Sequence, residues 1–251
     1  MKKNDLIQTM SIRGLKYARI LTDNINPKEA EEIKKNYDAA HIYSYSKSSL
    51  EVLGYSCFQQ KTPIISLEES LEKICASFRR DTKAGIKKSL STPRLKMVVP
   101  DSSAAKSYEF YQKIKKADGV LPDIEIEFEN CLFFNAYLND ILAVSTSFYG
   151  NGEVLRSKHI VSFRKESKEN AKIASMATRA LVRAICSYAK ALGYKKLDLG
   201  GISLDDSKKA GILDFKMSFG GTVHDVNIYR TENEEFSKLR KKIKSEGQNI
   251  N

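Results

Sequence analysis

Apolar and polar residues alternate over residues 15–22, near the start of the chain, and this pattern predicts a β-strand. Asn26-Pro27 follows, with a residue type that caps helices and a proline suited to the first helical turn, so a helix is expected next. A second run, residues 50–59, is rich in Val, Tyr, Cys and Phe and predicts another strand. The chain therefore opens with a strand, a helix and a strand.

Beyond residue 95 the sequence signals for strands, turns and helices become denser. Asn139-Asp140 and Gly150-Asn151-Gly152 separate three apolar runs, which predicts three antiparallel strands in a row. Residues 170–192 have helical apolar spacing and end at Gly193, which predicts a long helix. The elements expected are strand 95–100, helix 101–116, strands 132–137, 141–148 and 154–163, helix 170–192, strand 195–199, helix 204–215, strand 222–229, helix 232–244 and a disordered tail 245–251. This order predicts an α/β protein with a mixed sheet flanked by helices, since a doubly wound sheet would alternate strand and helix throughout.

Charge adds a second clue. The formal net charge of +11 favours an anionic partner such as nucleic acid, a nucleotide, a phosphorylated sugar or an anionic membrane face, although a lysine-rich surface that aids solubility explains it equally. A helix is expected from Ser66 to about Pro93, and basic residues follow one stripe along it at helical spacing. The stripe consists of Arg80, Lys83, Lys87 and Lys88.

Several classes of protein are disfavoured. No apolar run approaches the length of a membrane span, and the N-terminus has no apolar segment typical of a secretory signal, so the cytoplasm is the expected compartment. The four cysteines are far apart and predict free thiols without a metal site. His159 and His224 lack the sequence neighbours of a hydrolase triad, and no phosphate-binding glycine loop occurs.

Two glycine pairs, Gly200-Gly201 and Gly220-Gly221, bracket Phe215-Lys216. The first pair ends the short apolar run 196–199, where the missing side chains would allow another molecule to approach the backbone closely. The second pair ends a segment of helical length. A lysine placed between them could face that molecule.

This glycine block resembles the end of the catalytic half of FemABX-like acyltransferases, whose fold is a variant of the GNAT N-acyltransferase fold. The resemblance implies a GNAT-like acyltransferase half in residues 95–251 and a truncated second GNAT-like half, with the basic helix, in residues 1–94. It implies transfer of an aminoacyl or acyl group to an amine. Members that build peptidoglycan cross-bridges use aminoacyl-tRNA as donor, and GNAT relatives use acyl-coenzyme A. The matching segments are 64–67, 79–88, 181–193, 197–201 and 211–221.

Amide synthesis from an activated ester needs a cation or N–H group at the developing oxyanion. Lys216 is the candidate for this contact, or for a donor phosphate, and the resemblance places the family's important lysine here; a surface lysine is the alternative. Phe215 could stack on the donor or belong to the core. Asp198 could handle a proton, although an Asp before Gly200-Gly201 more often bonds loop N–H groups.

The residues at the start of the long helix bear on the identity of the donor. Coenzyme A binding in GNAT enzymes uses a glycine-containing loop at the start of the long helix, where N–H groups hold the pyrophosphate. Residues 164–174 contain basic and small residues but no glycine, which favours aminoacyl-tRNA over acyl-coenzyme A. The residues expected to bind donor or acceptor are Gly200, Gly201, Arg80, Lys83, Lys87, Asn170 and Lys172.

We therefore expect an N-acyltransferase or aminoacyltransferase acting on an amine of a cell-envelope or glycan precursor. The alternatives are an acetyl-coenzyme A-dependent N-acetyltransferase and a non-catalytic basic module that binds RNA or another anion. The expected partners are a small-molecule or lipid-linked amine acceptor, tRNA and the inner membrane face. The acid-rich segment 123–127 could lie over the acceptor site, or be a solvated loop. One pocket lined by both Lys216 and Gly201 would favour the enzyme.

Overall fold

The computed structural model describes residues 6–163, 167–202 and 210–250. The strands are β1 (Leu6–Ile12), β2 (Leu15–Thr22), β3 (Ala39–Ser44), β4 (Ser56–Ser66), β5 (Leu95–Asp101), β6 (Leu132–Leu138), β7 (Ile141–Gly150), β8 (Val154–Ser162), β9 (Lys196–Asp198) and β10 (Thr222–Glu232). The helices are α1 (Pro27–Asn36), α2 (Leu71–Ser77), α3 (Arg80–Leu90), α4 (Ala104–Ala117), α5 (Lys168–Ala191), α6 (Ala210–Met217) and α7 (Glu234–Ser245).

All of these strands join one sheet in the order β1-β2-β3-β10-β4-β9-β8-β7-β6-β5. The pairs β2–β3 and β8–β9 are parallel, and the other named neighbours are antiparallel. The predicted mixed α/β sheet, with the meander β6–β8 in it, is thereby confirmed. Strand β10 lies between β3 and β4, so a C-terminal strand pairs with two strands from the first half of the chain. The division into residues 1–94 and 95–251 stays a prediction.

Helix α5 connects the two strands of the parallel pair β8–β9. Its apolar face, which includes Ala177, Leu181 and Ile185, is fully buried in the main core, and the helix packs against β5, β6 and β7. Strand β9 pairs with β8 only over Val154 to Arg156. Because β8 continues to Ser162 without this partner, the sheet opens beyond that point.

The expected single helix over residues 66–93 is wrong, since the chain forms α2 and α3 with a break at Phe78-Arg79. Phe78 has extended backbone (φ −64, ψ 142) and is buried edge-on against Phe219, with ring centroids 5.4 Å apart. The N–H of Arg79 donates to the carbonyl of Ser218 at 2.9 Å. This contact with the chain before β10 redirects a segment whose local composition favours one helix.

Other differences also reflect tertiary contacts. The strand predicted over 50–59 begins only at Ser56, because residues Glu51–Leu53 form a short 3-10 helix that ends at Gly54, where φ is +79. The tail expected to be disordered is ordered to residue 250, and Ile250 is buried. Strands β1 and β3 were not predicted. Of the helix expected over 204–215, residues 204–209 lie outside the described part of the chain.

Candidate active site

A cavity of ≈ 980 Å³ lies where β8 and β9 diverge, within the size range typical of small-molecule sites. One wall consists of the part of β8 that does not pair with β9 and of the first turns of α5, including Ser175 and Thr178. The opposite wall contains Leu199 to Gly201 and α6. Side chains of β2, β3, β4, β7 and β10 and the end of α4 also line the cavity. Lys216 and Gly201 thus line one pocket, which is the arrangement expected of the enzyme.

Lys216 projects from α6 onto the loop that follows β9. Its ammonium donates to the carbonyl oxygens of Gly200 at 2.9 Å and Gly201 at 2.8 Å. An ammonium has three N–H donors, so one is left for the cavity. Burial lowers the pKa of Lys216 to about 8. The ammonium is therefore fixed in position, and it loses its proton at a lower pH than a solvated lysine does.

The glycine pair at this loop meets two separate structural demands. Gly200 has φ +77, a backbone conformation that residues with a Cβ rarely adopt. At Gly201 an added Cβ would lie 2.0 Å from side-chain atoms of Gln60. The backbone conformation therefore favours glycine at position 200, whereas a side chain at position 201 would require the end of the flexible Gln60 side chain to move.

Phe215 belongs both to the core edge and to the cavity wall. Its ring meets Phe219 edge-on at 5.2 Å between centroids, and the guanidinium of Arg179 lies 5.7 Å from its centre. The same residue lines the cavity beside Lys216. The ring therefore packs at the edge of the core and faces the cavity, and its stacking on a donor stays a prediction.

Asp198 is fully buried and lies behind the cavity lining. One carboxylate oxygen accepts from the hydroxyl of Thr62 and from the N–H of Gly200, the latter at 2.7 Å. The other accepts from the hydroxyl of Tyr45 at 2.6 Å and from the guanidinium of Arg156. These four bonds favour the structural role, in which Asp198 holds the loop that faces Lys216.

A second polar cluster also lines the cavity, and the sequence did not identify it. Lys158 lies 2.9 Å from Asp123 and 2.6 Å from Glu127, and Glu127 also pairs with buried Arg19. His159 Nε2 lies 2.7 Å from the Asp123 carboxylate. The acid-rich segment was noticed as a motif, but its partners stand 36 and 31 residues further along the chain.

His159 and Asp123 form a directed pair. Burial lowers the pKa of His159 to about 4, and the hydrogen bond to Asp123 opposes that shift only in part. The pKa of Asp123 is held well below its usual value by Lys158 and His159, against the effect of burial. A carboxylate only accepts, so Nε2 carries the proton and Nδ1 is left with a lone pair.

The cavity wall is predominantly basic. Among the described residues that line it are eight Lys or Arg side chains and three Asp. Arg156 and Lys158 are neighbours on one face of β8, where Arg156 lies 5.0 Å from the centre of the Tyr43 ring. This excess of positive charge suits an anionic ligand.

The remaining candidate residues lie outside this lining. Helix α3 carries its basic stripe on the exposed surface, and it is tied to α6 by the ion pair of Arg79 with Asp214. Asn170 is half-buried in the first turn of α5, where its N–H donates to the Ser167 cap at 3.0 Å, and Lys172 is exposed. The side chains of the stripe, Arg80, Lys83, Lys87 and Lys88, are all exposed. Their roles in binding donor or acceptor stay predictions.

The described residues contain no group of three or more His, Cys, Asp or Glu side chains arranged to hold a metal. No helix within the described ranges is both long and apolar enough to cross a bilayer.

No family model and no curated protein matches the chain by sequence, but solved structures share its fold. The crystal structure of FemX matches with a TM-score of 0.60 at 13% identity. The match covers 93% of this chain and 85% of the FemX chain. L-PGS from Bacillus licheniformis has a TM-score of 0.55 at 12% identity, with 94% and 83% covered. A GCN5-related N-acetyltransferase from Kribbella flavida has a TM-score of 0.50 at 8% identity, with 88% and 84% covered. The FemABX-like variant of the GNAT fold, implied by the glycine block, is thereby confirmed as the fold of this chain.

Proposed function

We propose that the protein is an aminoacyl- or acyltransferase that forms an amide on an amine of a cell-envelope or glycan precursor. The observation that carries the proposal is the Lys216 ammonium, held by Gly200 and Gly201 with one N–H left for the cavity. Such a donor can meet the charge that develops on a carbonyl oxygen during acyl transfer. The fold shared with FemX agrees with this chemistry.

The reaction would proceed by attack of the acceptor nitrogen on the donor carbonyl carbon. A C–N bond forms, the carbonyl π electrons move to oxygen, and the Lys216 N–H stabilises that oxyanion. Collapse of the tetrahedral intermediate breaks the C–O bond to the donor hydroxyl. His159, neutral and oriented by Asp123, accepts the proton that the attacking nitrogen loses and donates a proton to the leaving alkoxide oxygen, which departs as the donor hydroxyl.

We favour aminoacyl-tRNA as the donor over acyl-coenzyme A. Residues 164–174 lack the glycine that a pyrophosphate loop at a helix start commonly uses. The net charge of +11 and the exposed stripe on α3 suit a large polyanion. The acceptor would be a small-molecule or lipid-linked amine reached from the cytoplasm.

The test supplies both donors to the same protein. Bulk tRNA charged with radiolabelled amino acids, or radiolabelled acetyl-coenzyme A, is incubated with the protein and a fraction of amine-bearing cell-envelope precursors. We expect label to move from tRNA to the precursor, and isothermal titration to find coenzyme A binding no tighter than roughly millimolar, about 4 kcal/mol. Lys216→Ala should lose most of this transfer. Lys238→Ala, which replaces an exposed lysine of α7, is its control.

Each other outcome has a defined meaning. Micromolar coenzyme A binding with acetyl transfer would replace the donor and keep the reaction class. Tight tRNA binding with no transfer from either donor would favour a non-catalytic RNA-binding module on this scaffold.

A further inference from the structure

Lys158 and His159 are neighbours in β8, yet both side chains reach the same carboxylate oxygen. The Lys158 ammonium lies 2.9 Å from Asp123 Oδ2, and His159 Nε2 lies 2.7 Å from that same atom. Successive residues of a regular strand point to opposite faces of the sheet. Here the β7–β8 register shifts, because His159 pairs with Ser147 and the ladder skips Lys158. This β-bulge places both side chains on one side of β8, as bulges commonly do beside functional sites.

A chain of charged groups leads from this oxygen into the interior. Lys158 also lies 2.6 Å from Glu127, which is ion-paired with Arg19. The side chains of these three residues and of Asp123 are no more than 5% exposed. The two cations balance the two anions while the imidazole is neutral. A proton on His159 would therefore add a net positive charge to a site with little access to water, and burial disfavours such a charge.

The Lys158 ammonium opposes the effect that Asp123 has on the imidazole. A carboxylate at hydrogen-bond distance favours the charged form of a histidine and raises its pKa. Burial acts most strongly in the other direction and Lys158 adds to it, so the pKa of His159 is lowered to about 4. Asp123 therefore orients the ring through its hydrogen bond without giving the ring a charge.

Other groups also surround the imidazole. Lys115 of α4 carries a further positive charge, which lowers the pKa of His159 as well. The rings of Tyr111 and Phe128 pack on the imidazole, with centroids 4.6 Å and 5.7 Å away. Burial raises the pKa of Tyr111, so its hydroxyl is uncharged, and Ser147 on β7 has no charge either. The charge that these neighbours add is therefore positive, and it disfavours the imidazolium.

We propose that Lys158 is a positioning residue for acyl transfer, which keeps the Asp123–His159 pair able to accept a proton. An imidazole accepts a proton only through a free lone pair, and the imidazolium has none. Asp123 holds the single ring proton on Nε2, and Lys158 offsets the negative charge that would otherwise draw a second proton onto the ring. The inference deepens the proposed function, on which it rests in taking His159 as the proton acceptor.

The charge on the imidazole can be measured without a donor or an acceptor. The pH titration of the imidazole signals is followed by NMR in the wild type, Lys158→Met, Lys158→Arg and the control Lys195→Met, which breaks an exposed ion pair with Glu153. The chain has three histidines, and single His→Gln changes assign their signals. We expect Lys158→Met to raise the pKa of His159 by about one pH unit or more. Lys158→Arg keeps the charge and the control lies outside the cavity lining, so both should titrate as the wild type does.

Two further measurements keep the test independent of whether Lys158→Met folds. In the wild type at neutral pH, the imidazole nitrogen signals should show a neutral His159 ring with its proton on Nε2. The double change Lys158→Met with Glu127→Gln removes one cation and one anion, so the buried set stays balanced. It should also raise the pKa of His159, because Asp123 loses the ammonium in direct contact with it. A charged wild-type ring at neutral pH, or a pKa that neither variant raises, would overturn the proposal.

Turnover gives a readout that a purely structural lysine would not move. The acid limb of the pH profile of kcat/KM reports the essential base of the free enzyme. Lys158→Met should move that limb to higher pH by as much as the pKa measured by NMR changes, and Lys158→Arg should return it. A limb that stays in place while the pKa of His159 rises would overturn the role of Lys158 in transfer. No acyl transfer by the wild type, with the pKa of His159 still dependent on Lys158, would refute the proposed function and leave the charge coupling in place.

Discussion

The ammonium of Lys216 and the backbone of Gly200 are joined by a 2.9 Å hydrogen bond between α6 and the loop after β9. Gly200 is held from the other side as well, because its N–H donates to Asp198 at 2.7 Å. One peptide segment therefore connects the buried carboxylate with the cavity lysine. Asp198 and Lys216 have separable roles, so different results are expected when each is substituted.

Lys216→Ala should abolish most turnover and leave the fold intact. Loss of one oxyanion contact typically costs about 2.7 to 4 kcal/mol, a hundred- to thousandfold fall in kcat. Lys216→Arg should recover little activity if the lysine meets a single oxygen, and more if it meets a phosphate. The measurement is turnover beside thermal unfolding. Full activity in a stably folded Lys216→Ala protein would make the lysine a structural residue.

The pH dependence follows from the pKa of Lys216, which burial lowers to about 8 from the ordinary value of 10.5. Between these values the unfolded chain holds a proton that the folded chain has released. The free energy of unfolding should therefore gain a contribution that increases as pH rises from about 8 to 10.5. Urea unfolding should reveal this increase in the wild type and in the control Lys238→Met, but not in Lys216→Met.

Activity should change in the opposite direction over the same range. Above pH 8 the lysine loses the charge that stabilises the oxyanion, so kcat should fall. An active Lys216→Arg protein should lack that fall, because an arginine keeps its charge. A wild-type kcat that does not fall above pH 8 would show that the charge of Lys216 takes no part in the chemical step.

Asp198→Ala should destabilise the protein strongly. It leaves the Arg156 guanidinium buried without its carboxylate, and breaking such a pair costs about 3–5 kcal/mol. Asp225→Ala removes the exposed partner of Lys61 and is the control, with a loss of about 0–1 kcal/mol. Urea unfolding measures both. Normal stability with lost turnover in Asp198→Ala would restore the catalytic role considered from the sequence.

Replacing all four stripe residues of α3 by Ala should weaken tRNA binding and flatten its dependence on salt. Up to four phosphate contacts would be lost, which lowers the slope of log K against log salt by up to roughly three. A control removes four exposed lysines of α7: Lys238, Lys241, Lys242 and Lys244. Equal slopes in both variants would make the stripe an ordinary solvated surface.

Local patterns in the sequence were sufficient for much of the C-terminal half. Helix α5 and the meander of β6, β7 and β8 were predicted because their apolar spacing and turn residues lie within short stretches of chain. The proximity of Lys216 to Gly201 could also be predicted, since α6 follows β9 closely and both glycine pairs bracket the lysine. The sequence could not decide between a core position and a cavity position for Phe215, and the structure places its ring against Phe219 at the cavity wall.

Only the tertiary structure decided which distant residues meet. The pairs His159–Asp123 and Arg156–Asp198 join segments 36 and 42 residues apart, and no local periodicity encodes such a contact. Arg19 and Arg230 both reach the cavity because β10 inserts beside β3, a pairing set by the burial of whole strands rather than by any one segment. The break between α2 and α3 has the same origin, since packing of Phe78 on Phe219 outweighs the helix propensity of the residues around it.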